Sequence, residues 1–223
     1  MQPTGSPIAA GRNADVYAVD ERTVLRRYRA GGDTRQEADV MAHLRRLGYP
    51  VPDVFAADGP DLVLERVPGP TMLEALLGGG QPLADGARML ADLHRRLHDL
   101  PAMVGGAADD RILHLDLHPD NVILAERGPV VIDWRDTDEG VAGLDVAMTA
   151  VILAQAGVSA EDGVAAAARA FLHEFLLAVG SEALCGQLPC ALQRRSHNPA
   201  LTSDERALLP AAAALVTGGN SPG

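Results

Sequence analysis

Short apolar runs bounded by turn residues mark strands in the first part of the chain. DVYAV (residues 15–19) and TVLRRY (residues 23–28) lie on either side of DERT, an arrangement that predicts a β-hairpin. DLVLERV (residues 61–67) predicts another strand, which ends at Pro68-Gly69-Pro70. The first part of the chain is therefore expected to be rich in β-structure.

A helical period lies between these strands. Four apolar residues recur on one helix face, namely Val40, Met41, Leu44 and Leu47. Thr34 and Glu37 have the spacing of a capping box at the start of this helix, and Gly48 suits its end. The spacing thus predicts an amphipathic helix between the hairpin and the later strand.

The remainder of the chain has mostly helical periodicity. Helices are predicted over about residues 86–100, 144–156 and 160–179, the last with Ser159 as its N-cap and Gly180 at its end. SDERALL suggests one more helix, and TGGNSPG a frayed end. The Pro-Gly-Pro segment is the candidate boundary between an N-terminal lobe of residues 1–68 and a C-terminal lobe of residues 69–223.

A second hairpin is predicted in NVILAERGPVVID, where two apolar runs flank a five-residue turn. If Val122 pairs with Ile132, Asn121 lies opposite Asp133, with Cβ atoms about 4.5–5.5 Å apart. An amide oxygen and a carboxylate at that distance can share Mg²⁺, which prefers oxygen ligands. Asp116 precedes them on the loop HLDLHPDN. Its carboxylate can orient a hydroxyl group or accept its proton.

The motif HLDLHPDN…VIDW resembles the catalytic loop and metal-binding aspartate of the aminoglycoside phosphotransferase-like family of small-molecule kinases. The resemblance implies a two-lobed α+β protein-kinase-like fold, with a small β-rich N-lobe and a mostly helical C-lobe. It also implies that Asp116 is the catalytic aspartate and that Asn121 and Asp133 bind Mg²⁺. GLDVA resembles the downstream motif of the family, so Asp145 is expected to brace the catalytic loop.

Three segments of the N-terminal part resemble nucleotide-binding elements of the same family. VLRRY resembles the strand whose basic residue holds the nucleotide phosphates, here Arg26, and Glu37 is in the position of its acidic partner. LVLERVPG resembles the hinge, where the backbone of Glu65 and Val67 would meet the adenine edge of ATP, with GTP as the alternative nucleotide. Arg26 departs from the usual lysine, and the phosphate loop GRNADV has a single glycine.

Composition narrows the class of partner. The formal net charge of −11 argues against nonspecific nucleic-acid binding and permits a cationic acceptor. None of the 19 basic residues is lysine.

Cys185 and Cys190 are expected to be free thiols. The N-terminus lacks the pattern of a signal peptide, and residues 146–153 are too short to span a membrane. These features favour a cytoplasmic protein.

Several alternatives stay open. His114, Asp116 and His118 form H-x-D-x-H, which could instead bind zinc in a hydrolase. His114 is expected to support the loop, while His118 either supports it or approaches the transferred phosphate. Glu37 serves either the helix cap or an ion pair with Arg26. We predict Mg²⁺-dependent transfer of the γ-phosphoryl group of a nucleoside triphosphate to a small-molecule hydroxyl; the alternative is a nucleotide-binding protein without turnover.

Overall fold

The computed structural model describes residues 5–159, 162–180, 182–184 and 186–218. It contains two compact units, each built from two separate stretches of chain. The first comprises Met1–Pro70 and Val122–Thr137, and the second comprises Thr71–Asn121 and Asp138–Gly223. The second predicted hairpin therefore belongs to the first unit by its contacts. The functional lobe boundary near residue 68 stays a prediction.

The described elements include nine strands and eight α-helices. The strands are β1 (Ala9–Ala10), β2 (Ala14–Ala18), β3 (Thr23–Tyr28), β4 (Val54–Asp58), β5 (Asp61–Glu65), β6 (Asp110–Leu113), β7 (Val122–Ala125), β8 (Gly128–Val131) and β9 (Asp138–Val141). The helices are α1 (Arg35–Arg46), α2 (Met72–Leu77), α3 (Leu83–His98), α4 (Ala142–Val158), α5 (Asp162–Val179), α6 (Leu188–Ser196), α7 (Ser203–Ala207) and α8 (Leu209–Gly218).

A five-stranded antiparallel sheet in the order β1-β2-β3-β5-β4 dominates the first unit. The predicted β2–β3 hairpin and strand β5 are confirmed. Leu62 and Leu64 of β5 are buried while their neighbours are partly exposed, as the period of two requires. Strand β4 was not predicted, because exposed and half-buried residues do not alternate along it.

Helix α1 lies where the helical period predicts it, but its cap differs from the prediction. Thr34 makes no side-chain hydrogen bond to the helix end. Its hydroxyl instead donates to the backbone carbonyl of Asp61 at 3.0 Å. The predicted capping box is therefore wrong, and the Glu37 side chain is left for other partners.

The β7–β8 hairpin is confirmed, but its register is not the predicted one. Val122 pairs with Val131 rather than with Ile132, and Ala125 pairs with Gly128. The turn thus has two residues rather than five, since Gly128 and Pro129 extend strand β8. A shift of one residue reverses which face each side chain occupies. The pairing premise that set Asn121 opposite Asp133 is therefore wrong.

The second unit is mostly helical, with a short β6–β9 ladder that the sequence did not predict. Helices α3, α4 and α5 confirm the three predicted long helices, although α3 begins at Leu83 and α4 extends to Val158. Ser159 ends α4; the first residues of the predicted 160–179 helix, Ala160 and Glu161, lie outside the described residues.

The C-terminal part contains more regular structure than its sequence signals indicated. SDERALL forms α7 and the start of α8, and α6 was not predicted. Cys190 is a free, exposed thiol. Cys185 and residues 219–223 of the predicted frayed end lie outside the described residues. Among the helices that the structure describes, none is both long and apolar enough to cross a bilayer.

Candidate active site

Arg26 of β3 is the centre of a charged cluster in the first unit. One guanidinium nitrogen donates to Glu37 Oε1 at 2.9 Å, and the other donates to Asp133. Tyr28 follows on the same strand face and donates its hydroxyl to Glu37 Oε2 at 2.7 Å. Arg27 points to the opposite face, as predicted, and pairs with Asp61. The Arg26 fork therefore holds two carboxylates at once.

Burial and the neighbouring charges both shift the pKa values of Arg26, Tyr28 and Glu37. Side-chain exposure is only 12% for Arg26 and 5% for Glu37. Burial raises the pKa of Glu37, and the charge of Arg26 with the Tyr28 hydrogen bond offsets only part of that rise. Burial also raises the pKa of Tyr28, so its hydroxyl stays a donor. Asp133 and Glu37 together keep Arg26 protonated by raising its pKa, against the effect of burial.

Asp133 follows strand β8 in an unusual backbone conformation. Its φ of 64° lies in the left-handed region, which aspartate tolerates better than most residues. The neighbouring Trp134 is fully buried and packs edge-on against Tyr49, with ring centroids 5.7 Å apart. Val131 donates its N–H to the carbonyl of Pro50 at 2.8 Å. These contacts fix the chain on both sides of Asp133, whose side chain stays 37% exposed.

Glu65 and Val67 lie at the end of β5, where the hinge was predicted. Glu65 donates its backbone N–H to Asp53 at 2.8 Å, and its carboxylate accepts two hydrogen bonds from Arg127. Within the part of the chain that the structure describes, the Val67 N–H has no hydrogen-bond partner. Val67 therefore has a donor available, while the adenine contact of both residues stays a prediction.

In the second unit, Asp116 lies on a loop between β6 and the short turn Pro119–Asn121. The Asn121 amide nitrogen donates to the Asp116 carbonyl at 2.9 Å and lies 3.3 Å from its carboxylate. His118 Nε2 is 3.7 Å and an Arg195 guanidinium nitrogen 3.6 Å from that carboxylate. Two groups of the loop and one of helix α6 therefore surround the Asp116 carboxylate.

These surroundings hold Asp116 in its ionised form. Burial raises the pKa of this carboxyl, but His118, His114 and Arg195 together lower it further than burial raises it. The net pKa lies below the ordinary value of aspartic acid. Asp116 is thus a carboxylate at neutral pH that can accept a hydrogen bond, although it is a weak base.

The loop before Asp116 is braced from α4. Leu115 has φ of 65°, which is rare for a bulky residue, and its N–H donates to Asp145 Oδ1 at 2.6 Å. Asp145 is fully buried, and its other oxygen accepts from His98 Nε2 at 3.0 Å. His114, also fully buried, accepts the Asp116 N–H at 3.2 Å. The loop is therefore fixed by hydrogen bonds on both sides of Leu115.

Burial disfavours the charged forms of both Asp145 and His94. It raises the pKa of Asp145, yet the adjacent His94 and His98 rings outweigh this and leave that pKa well below its ordinary value. Burial lowers the pKa of His94, so its neutral ring is favoured. Asp145 is accordingly an ionised, buried acceptor for the Leu115 N–H.

The structure distributes the predicted site residues between the two units. Arg26, Glu37 and Asp133 come together in the first, and Asp116, Asn121 and Asp145 in the second. The alternative of a zinc site at H-x-D-x-H has no support: among the described residues, His114, Asp116 and His118 do not form a group of converging ligand atoms. His118 Nδ1 accepts the N–H of Asp120 at 3.3 Å.

Three residues at the site were not identified from the sequence. Tyr28 could have been, because it is two positions from Arg26 on a strand and shares its face. Arg195 of α6 and Thr149 of α4 reach the loop only through tertiary packing; the Thr149 hydroxyl donates to the Leu117 carbonyl at 2.6 Å. No local sequence signal marks either residue.

The half-buried Asp116 thus lies on a braced loop, and Arg26 is paired with Glu37 of helix α1. The family model described as the phosphotransferase enzyme family matches residues 4–112 and 106–180. The chain therefore belongs to the phosphotransferase enzyme family, which confirms the resemblance in its sequence. A search of curated proteins found none that matches the chain.

Solved structures confirm the predicted two-lobed α+β fold class. The ADP-bound aminoglycoside phosphotransferase APH(2'')-Ib has a TM-score of 0.59 at 13% identity, covering 95% of this chain and 93% of its own. A choline/ethanolamine kinase family protein from Mesorhizobium loti has a TM-score of 0.59 at 16% identity, with 98% and 90% covered. Plasmodium vivax ethanolamine kinase has a TM-score of 0.60 at 11% identity, with 96% and 81% covered. At these identities the likeness concerns the fold alone.

Proposed function

We propose that the protein transfers the γ-phosphoryl group of ATP or GTP to a hydroxyl group of a small molecule. Asp116 orients the acceptor hydroxyl, and Arg26 contacts the nucleotide phosphates while Glu37 holds its guanidinium in place. The backbone at Glu65 and Val67 receives the adenine or guanine edge. This assignment rests on family membership and on the contacts within each unit.

The observation that carries the proposal is the environment of Asp116. Its carboxylate is kept ionised, and Asn121 fixes the backbone and side chain that present it. A carboxylate with a lowered pKa does not remove a hydroxyl proton in advance. It can, however, hold the hydroxyl in line and accept the proton as the bond to phosphorus forms. Phosphoryl transfer needs such positioning more than strong base catalysis.

The residues proposed to hold Mg²⁺ fit that ion by their chemistry. Asn121 uses its amide nitrogen for Asp116, and among the described residues its amide oxygen accepts no hydrogen bond. Asp133 gives one carboxyl oxygen to Arg26 and has a second one. Both free atoms are hard oxygen donors of the kind that Mg²⁺ selects. The bound ion would neutralise phosphate charge during transfer.

The acceptor belongs, in this proposal, to the small hydroxyl compounds, with cationic ones favoured by the net charge of −11. One related structure is a gentamicin complex of APH(2'')-IIa, and two others are a choline/ethanolamine kinase family protein and an ethanolamine kinase. Aminoglycosides and choline or ethanolamine are therefore the first acceptors to test. Uncharged sugars and polyols serve as the comparison set.

The test is product formation from ATP or GTP with Mg²⁺ across this acceptor panel, followed by mass spectrometry. Asp116→Asn should lower turnover by about 10²–10⁴-fold while leaving nucleotide affinity unchanged. Asp120→Asn is the matched control, because Asp120 is exposed on the same loop and bonds to Thr71. It should retain activity.

Three results would count against the proposal. Turnover by Asp116→Asn close to that of the wild type would refute the role of this residue. Equal losses in the Asp116 and Asp120 variants would point to general damage of the loop. Nucleotide binding without a product from any acceptor would favour the alternative of a binding protein without turnover.

A further inference from the structure

Two histidines and an aspartate form a buried cluster that the proposed reaction does not use directly. His94 and His98 are one turn apart on α3, and therefore share a helix face, while Asp145 comes from α4. Each offers a ligand atom, and these atoms all lie within 4.8 Å of one another. Side-chain exposure is 2% for His94, 11% for His98 and 0% for Asp145.

The hydrogen bonds of Thr149 determine which nitrogen of His94 carries a proton. The Thr149 hydroxyl donates its single hydrogen to the Leu117 carbonyl, so it can only accept from His94 Nε2 at 2.9 Å. Nε2 of His94 therefore carries the proton. In the neutral ring, Nδ1 is left with a lone pair directed at the cluster.

His94 Nδ1 is the unusual atom here. It is buried, has no hydrogen-bond partner, and lies 3.4 Å from Asp145 Oδ2. A lone pair that faces an ionised carboxylate in a buried setting is unfavourable unless a cation lies between them. The geometry thus requires either an added proton on His94 or a metal ion shared by the cluster.

We propose that His94 Nδ1, His98 Nε2 and Asp145 Oδ2 bind a zinc ion. Two ligands of one tetrahedral zinc ion are themselves about 3.4 Å apart, which is the separation of His94 Nδ1 from Asp145 Oδ2. His98 Nε2 is 3.0 Å from the same oxygen, and the three ligand atoms lie within 4.8 Å of one another, so side-chain adjustment would bring all three to one ion. Imidazole nitrogens with one carboxylate are ligands that zinc accepts.

Hydrogen bonds around the cluster are those expected of metal ligands. A zinc-binding histidine usually donates its other ring N–H to a fixed acceptor, and a ligating carboxylate is itself hydrogen-bonded. The second nitrogen of His94 donates to Thr149, and the second oxygen of Asp145 accepts from Leu115. On zinc binding, the His98 proton shifts from Nε2 to Nδ1, so the ring stays neutral.

The role of this zinc ion is structural. It would fix the carboxylate that receives the Leu115 N–H, and Leu115 holds the strained backbone next to Asp116. The proposal does not depend on the phosphotransferase reaction, because it concerns binding of a metal to α3 and α4. Its tests accordingly measure metal rather than turnover.

The first experiment measures metal binding by the full-length chain after removal of any affinity tag. Elemental analysis should find about one zinc ion per chain, and a chelator should remove it. Cobalt added to the stripped protein should give the intense visible absorption of tetrahedral coordination. A chain that takes up neither metal at micromolar concentration overturns the proposal, and this measurement needs no variant to fold.

The second experiment locates the ion. His98→Gln should abolish zinc retention and the cobalt spectrum. Thr149→Val, which removes the acceptor for His94 and the hydrogen bond to the Leu117 carbonyl, should weaken zinc binding by about 10–100-fold. His173→Gln, an exposed histidine on α5, is the matched control and should bind zinc normally. His118→Gln should also bind normally. Zinc binding that survives His98→Gln, or that is lost in His118→Gln instead, would overturn the assignment.

Discussion

Asp145→Asn tests whether a buried negative charge holds the loop that carries Asp116. The substitution keeps the shape of the side chain and leaves an oxygen that can accept the Leu115 N–H. It removes the negative charge of the side chain. The atom that faces His98 then becomes either an amide nitrogen, which cannot accept, or an uncharged oxygen, which accepts more weakly. The change is confined to a fully buried side chain, so solvent does not compensate for it.

The magnitude follows from the two hydrogen bonds to Asp145, of 2.6 Å from Leu115 and 3.0 Å from His98. A hydrogen bond to a charged group contributes about 1.5–3 kcal/mol, and a neutral one about 0.5–1.5 kcal/mol. Losing the charge from both bonds should therefore lower the free energy of unfolding of the second unit by about 2–3 kcal/mol. The strained φ of Leu115 leaves the loop poorly able to absorb this loss.

Urea unfolding at neutral pH, with a chelator present so that bound metal does not contribute, measures the difference. Hydrogen exchange of the loop should also become faster at the Leu115 amide, because its acceptor is weaker. Asp99→Asn is the control, since Asp99 is exposed next to His98; its stability should change by no more than about 0.5 kcal/mol. Unchanged stability and unchanged Leu115 exchange in Asp145→Asn would refute the bracing role.

Two further predictions concern the first unit. Gly69→Ala should destabilise it by more than about 2 kcal/mol in thermal or urea unfolding, because φ is 139° and the added Cβ would overlap a carbonyl oxygen of β7. Gly32→Ala, with φ of 118° and open space, should cost only about 1 kcal/mol, and equal losses would contradict the clash. Tyr28→Phe should lower unfolding free energy by about 1.5–3 kcal/mol, because it removes the donor to buried Glu37. Tyr17→Phe is its control, since no hydrogen bond of the Tyr17 hydroxyl occurs among the described residues, and a loss of equal size there would refute the reasoning.

Local structure was largely predictable because it follows from periodicity. The hairpins and the long helices lie where apolar residues recur at two- or 3.6-residue spacing. Strands β4 and β9 were not predicted, because neither shows the alternating burial that marks a strand. Pairing with a neighbouring strand, rather than their own sequence pattern, makes them strands.

Register and side-chain partners could not be read from local spacing. Gly128 and Pro129 are typical turn residues, yet they pair with β7 and shorten the turn. The prediction that Asn121 faces Asp133 depended on that turn length. Glu37 likewise had two possible partners, and the choice depended on whether Arg26 would be buried beside it. Only tertiary packing answers such questions.

The absence of lysine gives a common physical basis to both parts of the candidate site. Arg26 holds Glu37 and Asp133, and His98 donates to Asp145. Guanidinium and imidazole groups are planar and donate in fixed directions, whereas an ammonium group is a rotatable point charge. A planar partner therefore fixes the direction of each carboxylate as well as its charge. Orientation of carboxylates is what phosphoryl transfer requires of its protein, so a chain without lysine retains the means to position this chemistry.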